Sequence, residues 1–118
     1  MILPDTSIWI DHFRSPNQHL AGLVSKRVLC CHPAVIGEVA CGNLANRDLK
    51  LNLMKRLHRA PVASDDNVLG FIASHKLMGR GIGYVDVHLL ASTAIDLGLL
   101  WTLDRRLNEV AASLGLSY

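Results

Sequence analysis

Little in this 118-residue chain can be cross-linked or sunk into a membrane. Its three cysteines are Cys30, Cys31 and Cys41, an odd number with two adjacent. That is no disulfide framework, and it fits a reducing, intracellular and therefore cytoplasmic setting. Nor does Cys30-Cys31-His32 make a zinc site, because neighbouring cysteines lack ligand spacing and no second Cys/His pair follows. No apolar run reaches the roughly 18 residues a membrane span needs. Asp5 interrupts the apolar N-terminus at once and no cleavage site follows, which argues against a secretory signal. There is no internal repeat, low-complexity tract or linker. With 50% apolar and 19% charged residues, positions 1–118 are expected to form one domain around one core.

What is present is an alternation of short apolar segments and amphipathic ones. Met1–Pro4 reads as a buried strand and Thr6–Phe13 as a helix with Ile8, Trp9, Ile10 and Phe13 inward. Ser15-Pro16-Asn17 breaks the chain before a helix over about Gln18–Lys26, and Val28–Cys31 is a second strand. Pro33 suits the first turn of a helix running to about Asn43. Asn46–His58 carries Leu49, Leu53, Met54 and Leu57 at helical spacing, and Ala60–Ala63 reads as a short strand. Ser64 caps a helix that Gly79 ends; after Gly79-Arg80-Gly81-Ile82-Gly83, another runs from about Val85 to Leu97. Leu99–Leu103 is the last strand, and Leu107, Val110, Ala111 and Leu114 mark the closing helix. Strands joined by helices imply an α/β fold of three layers, α/β/α, with a short, mostly parallel central sheet flanked by helices. Sites in such folds lie beyond the carboxyl ends of the strands.

Four acids fit that rule better than they fit a solvated surface. Asp5 directly follows the first strand and Asp104 the last, although each is also placed to cap a helix. Glu38 sits in Pro33-Ala34-Val35-Ile36-Gly37-Glu38-Val39-Ala40, with Ala34, Val35, Cys41 and Gly42 as helical neighbours and no cation among them. A carboxylate enclosed there protonates or finds a partner elsewhere in the fold, unless it faces solvent. Asp86 lies at the margin of an apolar arc and in the first turn of its helix, whereas Asp96 falls on the polar side with His88 and Ser92. Converging carboxylates need a cation, and hard oxygen ligands suit Mg²⁺ or Mn²⁺. Formal net charge is +2, but setting these four aside leaves six acids against twelve bases. An acidic pocket within a basic surface suits a polyanion gripped at its phosphates, with Arg80 and Arg105 nearest the acids.

Other chemistries fit less well. The glycine loop around Arg80 lacks the lysine and spacing of a P-loop and reads as a flexible turn. An aspartate-based phosphatase wants a second Asp two residues after the first, where this chain has Ser7. A receiver module wants paired acids at the first strand and a late lysine. A metal- or RNA-binding module without catalysis stays open.

The segments Asp5-Thr6-Ser7-Ile8-Trp9-Ile10-Asp11, Gly81-Ile82-Gly83-Tyr84-Val85-Asp86-Val87-His88-Leu89-Leu90-Ala91 and Leu99-Leu100-Trp101-Thr102-Leu103-Asp104-Arg105-Arg106-Leu107, with Glu38 between them, resemble the PIN-domain ribonucleases. In particular they resemble the VapC toxins of bacterial toxin–antitoxin pairs, over essentially the whole chain. The resemblance implies a PIN-like fold, metal-site acids at Asp5, Glu38, Asp86 and Asp104, and supporting hydroxyls at Thr6 or Ser7 and Thr102. It implies Mg²⁺- or Mn²⁺-dependent cleavage of RNA, often tRNA or rRNA, a small antitoxin that occludes the site, and commonly a homodimer. Pro4 departs from the aliphatic residue usual before the first Asp and is expected to end the strand a residue early.

Overall fold

A computed structural model describes residues Met1–Tyr118. The chain runs β1 (Ile2–Pro4), α1 (Thr6–Arg14), α2 (Gln18–Ser25), β2 (Cys30–Cys31), α3 (Pro33–Ala40) and α4 (Arg47–Arg56). It continues through β3 (His58–Arg59), α5 (Asp65–His75), α6 (Tyr84–Ile95), β4 (Leu99–Trp101) and α7 (Arg105–Ser113). All pairings are parallel: β1 with β4 and β2 with β3, joined by a bridge between Ile2 and Leu29. The strands therefore lie in the order β3-β2-β1-β4, and Ser117 bridges the far side of β4 at Leu100. No helix is long and apolar enough to cross a membrane.

Leu3 and Leu100 from the strands, and Leu29 just before β2, are buried with Trp9, Val35, Leu90 and Leu107 from the helices around them. At about 25 cal/mol per Å² of apolar area, such side chains supply the main favourable contribution to folding. Gly98 lets β4 enter beside β1, since a Cβ there would stand 2.2 Å from the Met1 carbonyl oxygen. Asp96, expected to face water, instead accepts from the Met1 ammonium at 3.4 Å and ties down the same corner.

Several boundaries differ from the sequence reading. Pro4 does not end β1 early: it is buried and pairs with Trp101. Ile2 donates its N–H to Val28 on the β2 side. By alternation, the N–H that Pro4 lacks would have extended that same β1–β2 ladder. That seam accordingly shrinks to one bridge, while the β4 side is complete. The strand expected at Ala60–Ala63 is His58–Arg59, because Leu57 is already extended and ends α4 at Arg56. Ala60 still donates to Cys31, one residue beyond the end of β3. The helix expected to reach Asn43 stops at Ala40, and the one expected to run to Gly79 stops at His75. There Lys76 takes the left-handed conformation (φ 53°) that glycine more often supplies. β4 ends at Trp101 rather than Leu103.

Facing also differs. Ile10, expected inward, is exposed; so are Leu49 and Leu53 of the α4 stripe, whereas Met54 of that stripe is buried as expected and Leu51 is buried beside it. Ser92, expected on a polar face, is buried and donates to the Pro61 carbonyl at 2.5 Å, because the segment before α5 covers that side of α6.

Helix α3 has an unusual start. His32 is buried, and its Nδ1 accepts the Ala34 N–H at 3.0 Å in place of the usual hydroxyl or carboxamide cap. Burial, then the nearby His88 and Arg59, push its pKa from 6.5 down to about 4. The unfolded chain therefore binds the extra proton. His32 contributes stability in full above about pH 6.5 and loses it as pH falls toward about 4. His32→Asn keeps a capping acceptor without a titrating ring. Urea melts from pH 7 to 4 should show a decline of about 2–3 kcal/mol assigned to this position in the parent and absent from the variant.

Candidate active site at the carboxyl edge of the sheet

Strands β1 and β4 end side by side, and the Asp5 N–H donates to the Trp101 carbonyl at 2.9 Å. Asp5 is only 6% exposed, so its charge must be met by donors from the fold. Its Oδ1 accepts from Ser7 Oγ at 2.5 Å and from the Ile8 N–H at 3.2 Å, the latter capping α1. Its Oδ2 accepts from the hydroxyl of buried Thr102. Both hydroxyls are used a second time. Ser7 Oγ accepts the Leu103 N–H and Thr102 Oγ1 accepts the Asp104 N–H, each at 3.0 Å. These bonds turn the chain out of β4 and aim Asp104, which caps α7 through the Leu107 N–H at 2.9 Å.

Glu38 stands on α3 and is exposed rather than enclosed by the small apolar residues around it in sequence. Its Oε1 accepts from Thr6 Oγ1 at 2.6 Å, so Thr6 ties it to the first turn of α1. Thr6 and Ser7 thus have separate partners, Glu38 and Asp5. Asp86, in the first turn of α6, accepts the Gly83 N–H at 3.0 Å and is partly buried. Burial above all, then the charges of Asp104, Asp5 and Glu38, hold its pKa above the usual 3.8, partly offset by the Gly83 N–H. The topology therefore places all four acids in one electrostatic neighbourhood.

The glycine loop joins this neighbourhood from the side. Arg106 lies across Gly81, where a Cβ would stand 2.8 Å from its Cδ and Nη1, so the loop before α6 rests on the first turn of α7. Arg80 is exposed in that loop, and Arg105 pairs with Glu109 at 3.2 Å along α7.

No three His, Cys, Asp or Glu side chains stand close enough to clasp an ion in this arrangement. The four acids are nonetheless an all-oxygen, anionic donor set of the kind hard divalent cations take. Their mutual repulsion, expressed at Asp86, is what such a cation relieves.

Asp65 and Tyr84 escaped the sequence reading. Tyr84 donates to Asp65 Oδ1 at 2.8 Å, and His88 Nε2 lies 3.4 Å from the same oxygen. Together they brace the start of α6 next to Asp86. The partners lie on separate helices, so no local spacing could signal them.

Two acids capping helices, one in a first helical turn and Glu38 further along α3 meet at the carboxyl edge of a parallel sheet and define a carboxylate-centred site on an α/β scaffold. The chain belongs to the PIN-domain family, whose model, described as "PIN domain", matches residues 2–113. It is 42% identical over 118 residues to Ribonuclease VapC32 in each of two strains of Mycobacterium tuberculosis, covering 99% of this chain and 95% of that one. The crystal structure of PAE2754 from Pyrobaculum aerophilum shares its fold, with a TM-score of 0.68 at 18% identity over 92% of this chain and 84% of that one.

Replacing Asp86 with Asn removes the raised carboxylate while keeping an acceptor for the Gly83 N–H. The Asp86→Asn protein should melt a few degrees higher than the parent in EDTA, the scale of about 1 kcal/mol in a chain of this size. Differential scanning calorimetry of the two proteins checks this.

Proposed function

We propose that residues 1–118 form one PIN-like domain acting as an Mg²⁺- or Mn²⁺-dependent endoribonuclease, the cytoplasmic toxin of a toxin–antitoxin pair. The observation that carries this reading is the gathering of Asp5, Glu38, Asp86 and Asp104 at one edge of the sheet, near enough that the other three charges add to the burial that raises the Asp86 pKa. Membership of the PIN-domain family and the likeness to Ribonuclease VapC32 support it.

Asp5 and Asp86 would hold the ion directly, with Asp104 as a further ligand. The chemistry such an ion would supply is polarisation of the scissile phosphate and a lowered pKa for a water near neutral pH. The chain's own residues do the rest. Ser7 and Thr102 fix the Asp5 carboxylate, and both hydroxyls are already committed at donor and acceptor. Ser7 is therefore a positioning residue rather than a nucleophile. Glu38, held by Thr6 and open to solvent, can orient a water or take its proton. Arg80 and Arg105 would steady the RNA phosphates, tRNA and rRNA being the substrate classes expected.

A small antitoxin would find apolar surface at Ile10, Leu49 and Leu53, which stand exposed on α1 and α4. A homodimer belongs to the same reading. The second reading is a metal- or RNA-binding module without cleavage, which the same acids within a basic surface would also serve. The phosphatase alternative is weaker, because Ser7 stands where its second Asp would be and serves Asp5.

Purified protein should cleave total RNA with Mg²⁺ or Mn²⁺ and not in EDTA. Asp5→Asn and Asp86→Asn should each lower the rate by at least about 100-fold. Gel and end-mapping assays read both. Undiminished cleavage in EDTA or by the Asp5→Asn variant contradicts the nuclease reading, and RNA retention without products supports the binding module.

A further inference from the structure

The cations of this chain are not spread evenly. No acid occurs between Asp11 and Glu38, nor between Asp48 and Asp65. Those two acid-free stretches include Lys26, Arg27, Lys55, Arg56 and Arg59. The fold brings them together. The first stretch turns from α2 into β2, the second from α4 into β3, and β2 and β3 are paired neighbours. Both stretches enter the sheet at its amino edge, opposite the edge that carries the four acids.

A cleft of about 540 Å³ opens at that amino edge, and Arg27, Arg56 and His58 are among its lining residues. All three are exposed, and neither arginine is engaged in a salt bridge, unlike Arg14 with Asp11 and Arg105 with Glu109. No carboxylate lines the cleft. The nearby Met1 ammonium is already matched by Asp96, so the surplus charge belongs to the arginines. The walls between them are apolar, from Val24, Leu29 and Leu57. Low-dielectric walls around like charges strengthen their field toward an anion. Guanidinium forks are suited to paired oxygens on a phosphate.

We propose that this cleft is a second RNA-phosphate site, in which Arg27 and Arg56, assisted by His58, seat the backbone of a folded RNA whose scissile bond lies at the opposite edge of the sheet. It rests on the nuclease reading for what happens at that far edge. Charge segregation argues for it: the carboxylate edge repels a polyanion until a cation is bound, whereas the amino edge attracts one without metal. A short oligonucleotide occupying only the catalytic edge would not reach the cleft; a folded RNA would.

The test combines Arg27→Gln with Arg56→Gln, which removes the charges and keeps most of each stem, with Arg56→Glu as an independent second variant. Fluorescence anisotropy with labelled bulk tRNA, in the Asp86→Asn background, reads affinity across a salt series. The paired variant should bind tRNA about ten-fold more weakly at low salt, and the slope of log K against log salt should shrink by about two. Without the Asp86→Asn change, cleavage of a random hexaribonucleotide pool should match the parent. Unchanged tRNA affinity and slope in both variants, with the hexamers still cut, overturns the cleft alone. The expected drop in tRNA affinity from a parent that cuts neither RNA keeps the cleft and removes the nuclease reading. Poly-glutamate binding as tightly as tRNA, and lost in the same variants, would assign the cleft to an acidic protein segment instead.

Discussion

The fold depends most on how it accommodates the charge of Asp5. A carboxylate buried to this degree is tolerated only when its lone pairs are met, and here three donors meet them: Ser7, the Ile8 N–H and Thr102. The donors come from both sides of the β1–β4 seam. One charge therefore fixes where α1 starts, where β4 stops and which way the chain leaves toward α7. Because Ser7 and Thr102 also accept from Leu103 and Asp104, the position of Asp104 is inherited from Asp5 rather than set separately. Loosening either hydroxyl would disturb two acids at once.

The remaining carboxylates are held by helix starts. Asp86 accepts from Gly83 and Asp104 from Leu107, so both sit at the positive ends of their helices. That partial charge does not cancel the cost of the site: burial first, then the neighbouring carboxylates, still raise the pKa of Asp86. Strands of two or three residues keep the sheet only about 10 Å deep. Acidic and basic edges thus face opposite ways across a very small body, which lets a modest net charge hide a strong polarity.

Much of this was legible in the residues. Asp5 and Asp104 announce themselves as acids placed just after apolar strands, and the heptad-like spacing of Leu107, Val110, Ala111 and Leu114 gives α7, whose first three are buried. Tertiary partners were not legible. The bond between Thr6 and Glu38 spans 32 residues, and that between Tyr84 and Asp65 spans 19, so neither leaves a local pattern. The facing of α4 is legible only in part, at Met54, because Leu49 and Leu53 compete with Leu51 and Met54 for the buried stripe, and packing against α3 decides between them. Pro4 misled because its missing N–H weakens one neighbouring ladder while leaving the other intact.

On the proposed reading, Asp5, Glu38, Asp86 and Asp104 act as one electrostatic unit that a hard divalent cation would neutralise. Titration of Mn²⁺ followed by electron paramagnetic resonance tests it without reference to cleavage, comparing the parent chain with Asp86→Asn and with Asp96→Asn, whose carboxylate serves the Met1 ammonium instead. Saturable Mn²⁺ binding in the parent and in Asp96→Asn, weakened at least ten-fold in Asp86→Asn, is the predicted result. Equal binding by all three proteins, or none by the parent, would contradict the account.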